Sequence, residues 1–179
     1  MPIKYNLPLP RQAEMLAQKV SRGVSASLFG MSIGEKVYLA ASFNNPVLYV
    51  TPDYYSASKV YSQLSSLCNA ALLPAIPDLL TYKQGSSDDI FFDRIDAINR
   101  LVNNNLDALV ISVQSLGELF PEPEEILKHT LKISKNQTLS VEHILNVLIG
   151  GGYKRTSLAS SAGSFSLRGD ILDIFPITG

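Results

Sequence analysis

Pro46-Val47-Leu48-Tyr49-Val50-Thr51-Pro52 is a short apolar run closed at both ends by proline. An uninterrupted apolar run of this length predicts a strand buried on both faces, the kind found in parallel sheets with helices on either side. The segment after it, Tyr54 to Leu67, carries Tyr54, Ser58, Tyr61 and Leu64 or Ser65 at helical spacing. Ala70 to Pro74 reads as a second short strand, and Ala108-Leu109-Val110-Ile111-Ser112-Val113 as a third buried one. Between them, Ser86-x-x-Asp89 fits a capping box that opens a helix over Asp88 to Asn105. Phe91, Ile95, Ile98 and Val102 fall on one face of that helix. Strand, helix, strand, helix, strand at this spacing predicts an α/β fold with a parallel sheet and crossover helices.

Upstream, Met15, Leu16, Lys19 and Val20 predict a helix over Arg11 to Arg22. Gly23 to Gly34 reads as a loop and Lys36 to Phe43 as the start of a helix. Downstream, the texture changes at Pro121-Glu122-Pro123-Glu124-Glu125, which reads as a boundary. Leu131-Lys132-Ile133-Ser134 alternates as a half-exposed strand should. Ser140 caps a helix carrying Val141, Ile144, Leu145, Leu148 and Ile149, stopped by three glycines. Tyr153–Thr156, Ser164–Arg168 and Ile171–Phe175 then read as an antiparallel sheet. The expected organisation is an α/β domain over residues 1–121 and part of a smaller α+β domain over 122–179. Phe175 to Gly179 leaves a strand with no element after it, which reads as a break inside a longer protein.

Composition narrows the chemistry. Hydrophobic residues make up 46% of the 179 residues, enough for a proper core, and the net charge is −1 from 15 Lys and Arg against 16 Asp and Glu. A chain-wide nucleic-acid footprint needs a cationic excess that is missing here. Cys68 is the single cysteine, so no intrachain disulfide and no thiolate cage can form, and it reads as a buried thiol at a helix end. Met1 to Pro10 lacks the apolar core of a signal peptide, and no apolar run reaches the ~18 residues that span a bilayer. These features predict a reduced, cytoplasmic protein with no membrane contact.

The first chemical motif is Gly30-Met31-Ser32-Ile33-Gly34-Glu35-Lys36-Val37. A phosphate-cradling loop needs Gly-x-x-x-x-Gly-Lys-Ser/Thr: glycines that close backbone N–H groups on phosphate, a lysine for the terminal phosphates, a hydroxyl for magnesium. Gly30 and Lys36 fit. Glu35 replaces the second glycine with a carboxylate, and Val37 replaces the hydroxyl with a side chain that cannot hold a hard cation. The loop is read as a degenerate, non-functional phosphate loop, or simply as the turn into a helix. Asp89, Asp93 and Asp96 share a helical stripe and, with Asp88, fit a solvated polar face better than a metal site. His129 and His143 lack partners at ligand spacing. No catalytic residue, metal or cofactor is expected.

The last thirty residues carry the most specific pattern: Gly152-Tyr153-Lys154-Arg155, a gap, then Gly163-Ser164-Phe165-Ser166-Leu167-Arg168-Gly169-Asp170-Ile171-Leu172-Asp173-Ile174-Phe175-Pro176. Arg155 and Arg168 sit on neighbouring predicted strands with Tyr153, Lys154 and Phe165, a mixture enriched in protein–protein hot spots. Solvated arginines over a core of Phe165 and Leu167 are the plainer alternative. Strand alternation places Phe165 and Leu167 opposite Ser164, Ser166 and Arg168.

This block resembles the second domain of the bacterial excinuclease component UvrB, and more closely the matching N-terminal module of the transcription-repair coupling factor family. The order of loop, Val47–Pro52 strand, Asp88-Asp89-Ile90 with Arg94 downstream, and Leu109–Val113 strand is similar to that module throughout. UvrB keeps an intact phosphate loop, whereas the coupling-factor copy is degenerate in the same place as Glu35 and Val37. The resemblance implies a docking module that recruits the damage-sensing excinuclease component UvrA, with RNA polymerase, DNA and the ATP-driven translocase belonging to other domains. It assigns partner binding to Arg155 and Arg168, whose side chains are then expected on one exposed face. Ser166 stands where UvrB has a further arginine. The alternative is an ATPase half-site of UvrB or a related helicase.

Overall fold

The computed structural model describes residues 11–76 and 87–177. The chain divides into two compact units, Met1–Glu118 and Leu119–Gly179. In the first, helix α1 (Arg11–Ser21) and helix α2 (Ile33–Ala41) precede strand β1 (Val47–Thr51). Helix α3 (Tyr54–Leu67), strand β2 (Ala70–Leu73), helix α4 (Ser87–Val102), strand β3 (Ala108–Ser112) and the short helix α5 (Val113–Leu116) follow. The three strands are parallel in the order β1-β3-β2, as the alternation of strand and helix predicts.

One sheet face, through Ala70, Ala108 and Val110, packs on Val37 and Ala40 of α2 and on Ala57, Val60 and Leu64 of α3. The other, through Ala71, Leu73, Leu109 and Ile111, packs on Ala97 and Ile98 of α4. Cys68 lies buried at the C-terminal end of α3, where the sequence places it. Side chains close the ends of the helices. Asp53 caps α3 by accepting from the Ser56 N–H at 2.7 Å, and Ser112 caps α5.

Three expectations for this unit need correction. β1 is not buried on both faces. It is an edge strand, with Leu48 53% and Val50 40% exposed. Register pairs these two with Leu109 and Ile111, on the α4 side, and α4 lies over β2 and β3 only. Val113 leaves the third strand to begin α5 and is exposed. In α4 the buried face is Arg94 and Ala97, while Phe91 points to solvent. Arg94 is drawn inward because its guanidinium donates to the Pro74 carbonyl and pairs with Glu118 at 2.7 Å, while Glu118 also accepts from the Ile76 N–H at 2.7 Å. Ser86, proposed to cap α4, lies outside the described residues, as do the side chains of Asp88 and Asp89.

The second unit contains helix α6 (Pro123–Lys128), helix α7 (Val141–Gly150) and strands β4 (Lys154–Arg155), β5 (Ser164–Arg168) and β6 (Ile171–Phe175). Leu131–Ser134 is not a strand. Leu131 packs toward α7, and the chain then turns through Asn136 at φ 66°, with no strand among the described residues paired to it. The sheet order is β4-β5-β6, and it is mixed: β5 and β6 are antiparallel, but β4 runs parallel to β5. The 157–163 connection therefore crosses a face of the sheet instead of making a tight turn. β5 and β6 are joined through Gly169 and Asp170, and Gly169 takes φ +58°, which glycine alone adopts cheaply. The core is Ile144 and Leu148 of α7 against Phe165.

The edge position of β1 sets an expected mutational contrast. Leu64→Ala, at a site with no exposure, should cost about 3 kcal/mol in denaturant unfolding. Leu48→Ser should stay within about 0.5 kcal/mol. Equal losses at the two positions would contradict the strand order.

Candidate functional site

Two places carry the residues that the sequence singles out, and each lies within one unit. The first is the turn into α2. Ser32 is the N-cap, and its hydroxyl accepts from the Glu35 N–H at 3.3 Å. The Glu35 carboxylate reaches back to the Ser32 N–H at 2.7 Å and to the Ser32 hydroxyl at 2.8 Å. These bonds to Ser32 hold the Glu35 carboxyl below its ordinary value of 4.5. This is a complete capping box. A helix N-terminus attracts anions because its first N–H groups lack partners. Here the anion is supplied from within the chain. Val37 points into the core at 1% exposure, Lys36 is exposed, and Gly30 sits in open space at φ +74°. The element before this loop is α1, not a strand, so the strand–loop–helix frame of a phosphate loop is not present among the described residues.

The second place is the β4-β5-β6 sheet. Register pairs Lys154 with Ser164 and Arg155 with Phe165. It pairs Ser166 with Asp173, Leu167 with Leu172 and Arg168 with Ile171. Directly paired residues share a face and alternate residues repeat it. One face therefore carries Arg155, Phe165, Leu167, Leu172 and Ile174, and the other carries Lys154, Ser164, Ser166, Arg168, Ile171, Asp173 and Phe175. The expectation that Arg155 and Arg168 emerge on one face is overturned: they belong to opposite faces. Both are exposed. Arg155 escapes the core on its side because β4 is a two-residue edge strand. Arg168 donates to Asp173 at 2.6 Å across the hairpin.

Phe165, expected at the contact surface, has no exposure at all and forms the centre of the core with Ile144 and Leu148. Tyr153 is half-buried, and its hydroxyl accepts from the Ile177 N–H at 3.0 Å, fastening the segment after β6. Lys154 is exposed. Ser164 and Ser166 are buried although they share a face with Arg168. The 157–161 segment lies over them: Ser166 donates to the Ser157 carbonyl at 3.0 Å and Ser164 to the Ser161 carbonyl at 2.6 Å. Alternation along β5 could not reveal this cover, because it comes from outside the strand.

The remaining candidates take structural roles. Asp96 pairs with Arg100 at 3.3 Å, and Arg100 also donates to Asn69 and to the Ala70 carbonyl, closing the edge of β2. The His143 N–H donates to Ser140 at the cap of α7, and the His129 ring lies beside Gly150. Among the described residues no cluster of three or more His, Cys, Asp or Glu could hold a metal, and no helix is long and apolar enough to cross a membrane.

Residues 131–179 match the family model described as the UvrB interaction domain. The chain is 30% identical over 143 residues to the transcription-repair-coupling factor of Bacillus subtilis (strain 168), a match covering 78% of this chain and 12% of that protein. It is 30% identical over 166 residues to the transcription-repair-coupling factor of Staphylococcus aureus (strain USA300), covering 91% of this chain and 14% of that protein. The chain thus spans a small part of the length of the curated relatives it matches. It is similar to the transcription-repair-coupling factors over most of its own length, and the UvrB interaction domain match falls in its second unit.

The capping box gives a pH test. Because the folded-state pKa of Glu35 is lowered, its contribution is present above the unfolded value and is lost as pH falls through the folded one. Ser32→Ala should lower the unfolding free energy at neutral pH by the usual cost of a lost serine cap, about 1 kcal/mol. The gap from the parent should narrow as pH drops below 4.5. A gap independent of pH between 3 and 7 would show that the Glu35 carboxylate does not depend on the Ser32 hydroxyl.

Proposed function

We propose that this chain is a non-catalytic docking module that recruits the excinuclease component UvrA to RNA polymerase stalled at DNA damage, in nucleotide excision repair. The observation that carries the reading is the match of an interaction-domain family to a unit whose exposed strand residues include Lys154, Arg155 and Arg168. Arg168, Lys154 and Arg155 would make the polar contacts, with Tyr153 fixing the chain beside them and Phe165 supporting the sheet from below. Polymerase, DNA and the ATP-driven motor would belong to parts of the protein that the relatives have and this chain does not span. The α/β unit would act as a scaffold, its α2 turn closed by its own glutamate.

The alternative, an ATPase half-site of UvrB or a helicase, loses support at two atoms. The Glu35 carboxylate takes the Ser32 N–H and places a negative charge at the helix start, and the side chain at the magnesium position, Val37, is apolar and buried. Titration with magnesium-ATP should give no heat and no rise in melting temperature. A micromolar binder at millimolar ligand would raise stability by about 4 kcal/mol through linkage, and such a rise would contradict the silent-scaffold reading.

For docking, Arg168→Ala should leave folding nearly unchanged, because its pair with Asp173 is exposed and such pairs contribute roughly 0–1 kcal/mol. It should weaken UvrA binding by about 2 kcal/mol, roughly thirtyfold, if Arg168 is a hot spot. A folded Arg155→Ala, Arg168→Ala double variant that binds like the parent would refute the assignment.

A further inference from the structure

Two coverings leave one strip of the second unit's sheet open. α7 packs on the Phe165, Leu172 and Ile174 face. The 157–161 segment covers Ser164 and Ser166 on the other. Besides Lys154 on β4, what remains on that second face is β6 and Arg168 beside it, with Ile171 63% and Phe175 45% exposed and Asp173 between them. Four residue steps along the strand separate Ile171 from Phe175, a span of about 13 Å. Arg168 stands directly opposite Ile171. Its guanidinium gives one nitrogen to Asp173 at 2.6 Å and keeps further N–H donors for another acceptor.

We propose that Ile171, Phe175 and Arg168 form the contact strip of this unit, with Asp173 as the positioning residue for Arg168, and that the strip takes a protein surface presenting a carboxylate between apolar side chains. The proposal rests on the docking reading above and deepens it. The chemistry of the occupant follows from the strip. Apolar side chains on both sides exclude water when covered, which strengthens a charged contact made between them. The guanidinium fork matches a carboxylate, and one arm already fixed by Asp173 reduces the ordering cost of binding. The strip lies within the residues matched by the interaction-domain family. Arg155 is on the opposite face, so a partner seated on the strip reaches it only by wrapping the β4 edge.

The test measures binding of purified UvrA to the full chain by biolayer interferometry, with circular dichroism confirming each variant's fold. Ile171→Asp and Phe175→Ser should each weaken binding at least tenfold. Ile149→Asp makes a comparable change on α7, over the opposite face, and should shift it less than threefold. Asp173→Asn should weaken binding several-fold and Asp173→Glu should recover most of the loss, which a merely structural aspartate would not require. Parent binding that survives both Ile171→Asp and Phe175→Ser overturns the strip and leaves docking intact. Tighter binding by Asp173→Asn overturns the positioning role, since Asp173 would then be repelling the partner. A parent chain that fails to bind UvrA overturns the docking reading and the strip with it.

Discussion

The burial of Phe165 governs the second unit. Its ring has no exposure and sits against Ile144 and Leu148 of α7, so β5 has one permissible register. A slip of one residue would drive Ser164 and Ser166 into the apolar core and expel Phe165 and Leu167. Their hydroxyls instead meet the Ser157 and Ser161 carbonyls on the other side. With β5 fixed, pairing places every residue of β6 and β4, and thereby decides that Arg168 and Lys154 share a face while Arg155 does not. The proposed docking surface would be a consequence of where one aromatic ring is buried.

The first unit obeys an analogous rule with a different outcome. β3 is buried throughout and sits at the centre of a parallel sheet, between helices on both faces. Its ends are held by polar contacts: the Thr51 hydroxyl lies 3.2 Å from the Ile111 carbonyl and 2.9 Å from that of Asp53, and Asp107 accepts from the Asn69 N–H. In nucleotide-binding folds of this kind, ligands meet the sheet beside helix N-termini. Here the N-terminus of α2 is satisfied by Glu35 and that of α3 by Asp53, whose carboxyl is held below its usual value by bonds from Ser56. A chain that spends its carboxylates on its own helix ends has little to offer a polyphosphate.

Much of this was legible in the sequence, and the misses have identifiable causes. Proline brackets around Val47–Thr51 and apolar periodicity located β1, α3, β2 and β3, because these signals are local. Strand order is not local, so nothing in Val47 to Val50 revealed that β3 would take the centre and leave Leu48 in solvent. Leu131–Ser134 alternates like a strand, yet a strand also needs a neighbour. Helix α6 was hidden inside an apparent boundary, although Pro123 at its start, Glu124 and Glu125 in its first turn and Lys128 in its last are proper helix signals. In the candidate site, alternation sorted Phe165 from Arg168. The register of β4 against β5, which separates Arg155 from Arg168, and the cover over Ser166 depend on the 157–163 connection, whose path no periodicity encodes.

Amide hydrogen exchange with and without UvrA tests the central claim most directly, because it reads every backbone segment at once. The account predicts new protection over residues 168–175, with no change across residues 30–41. Protection confined to the α2 turn, or none in β6 when the complex is formed, would contradict it.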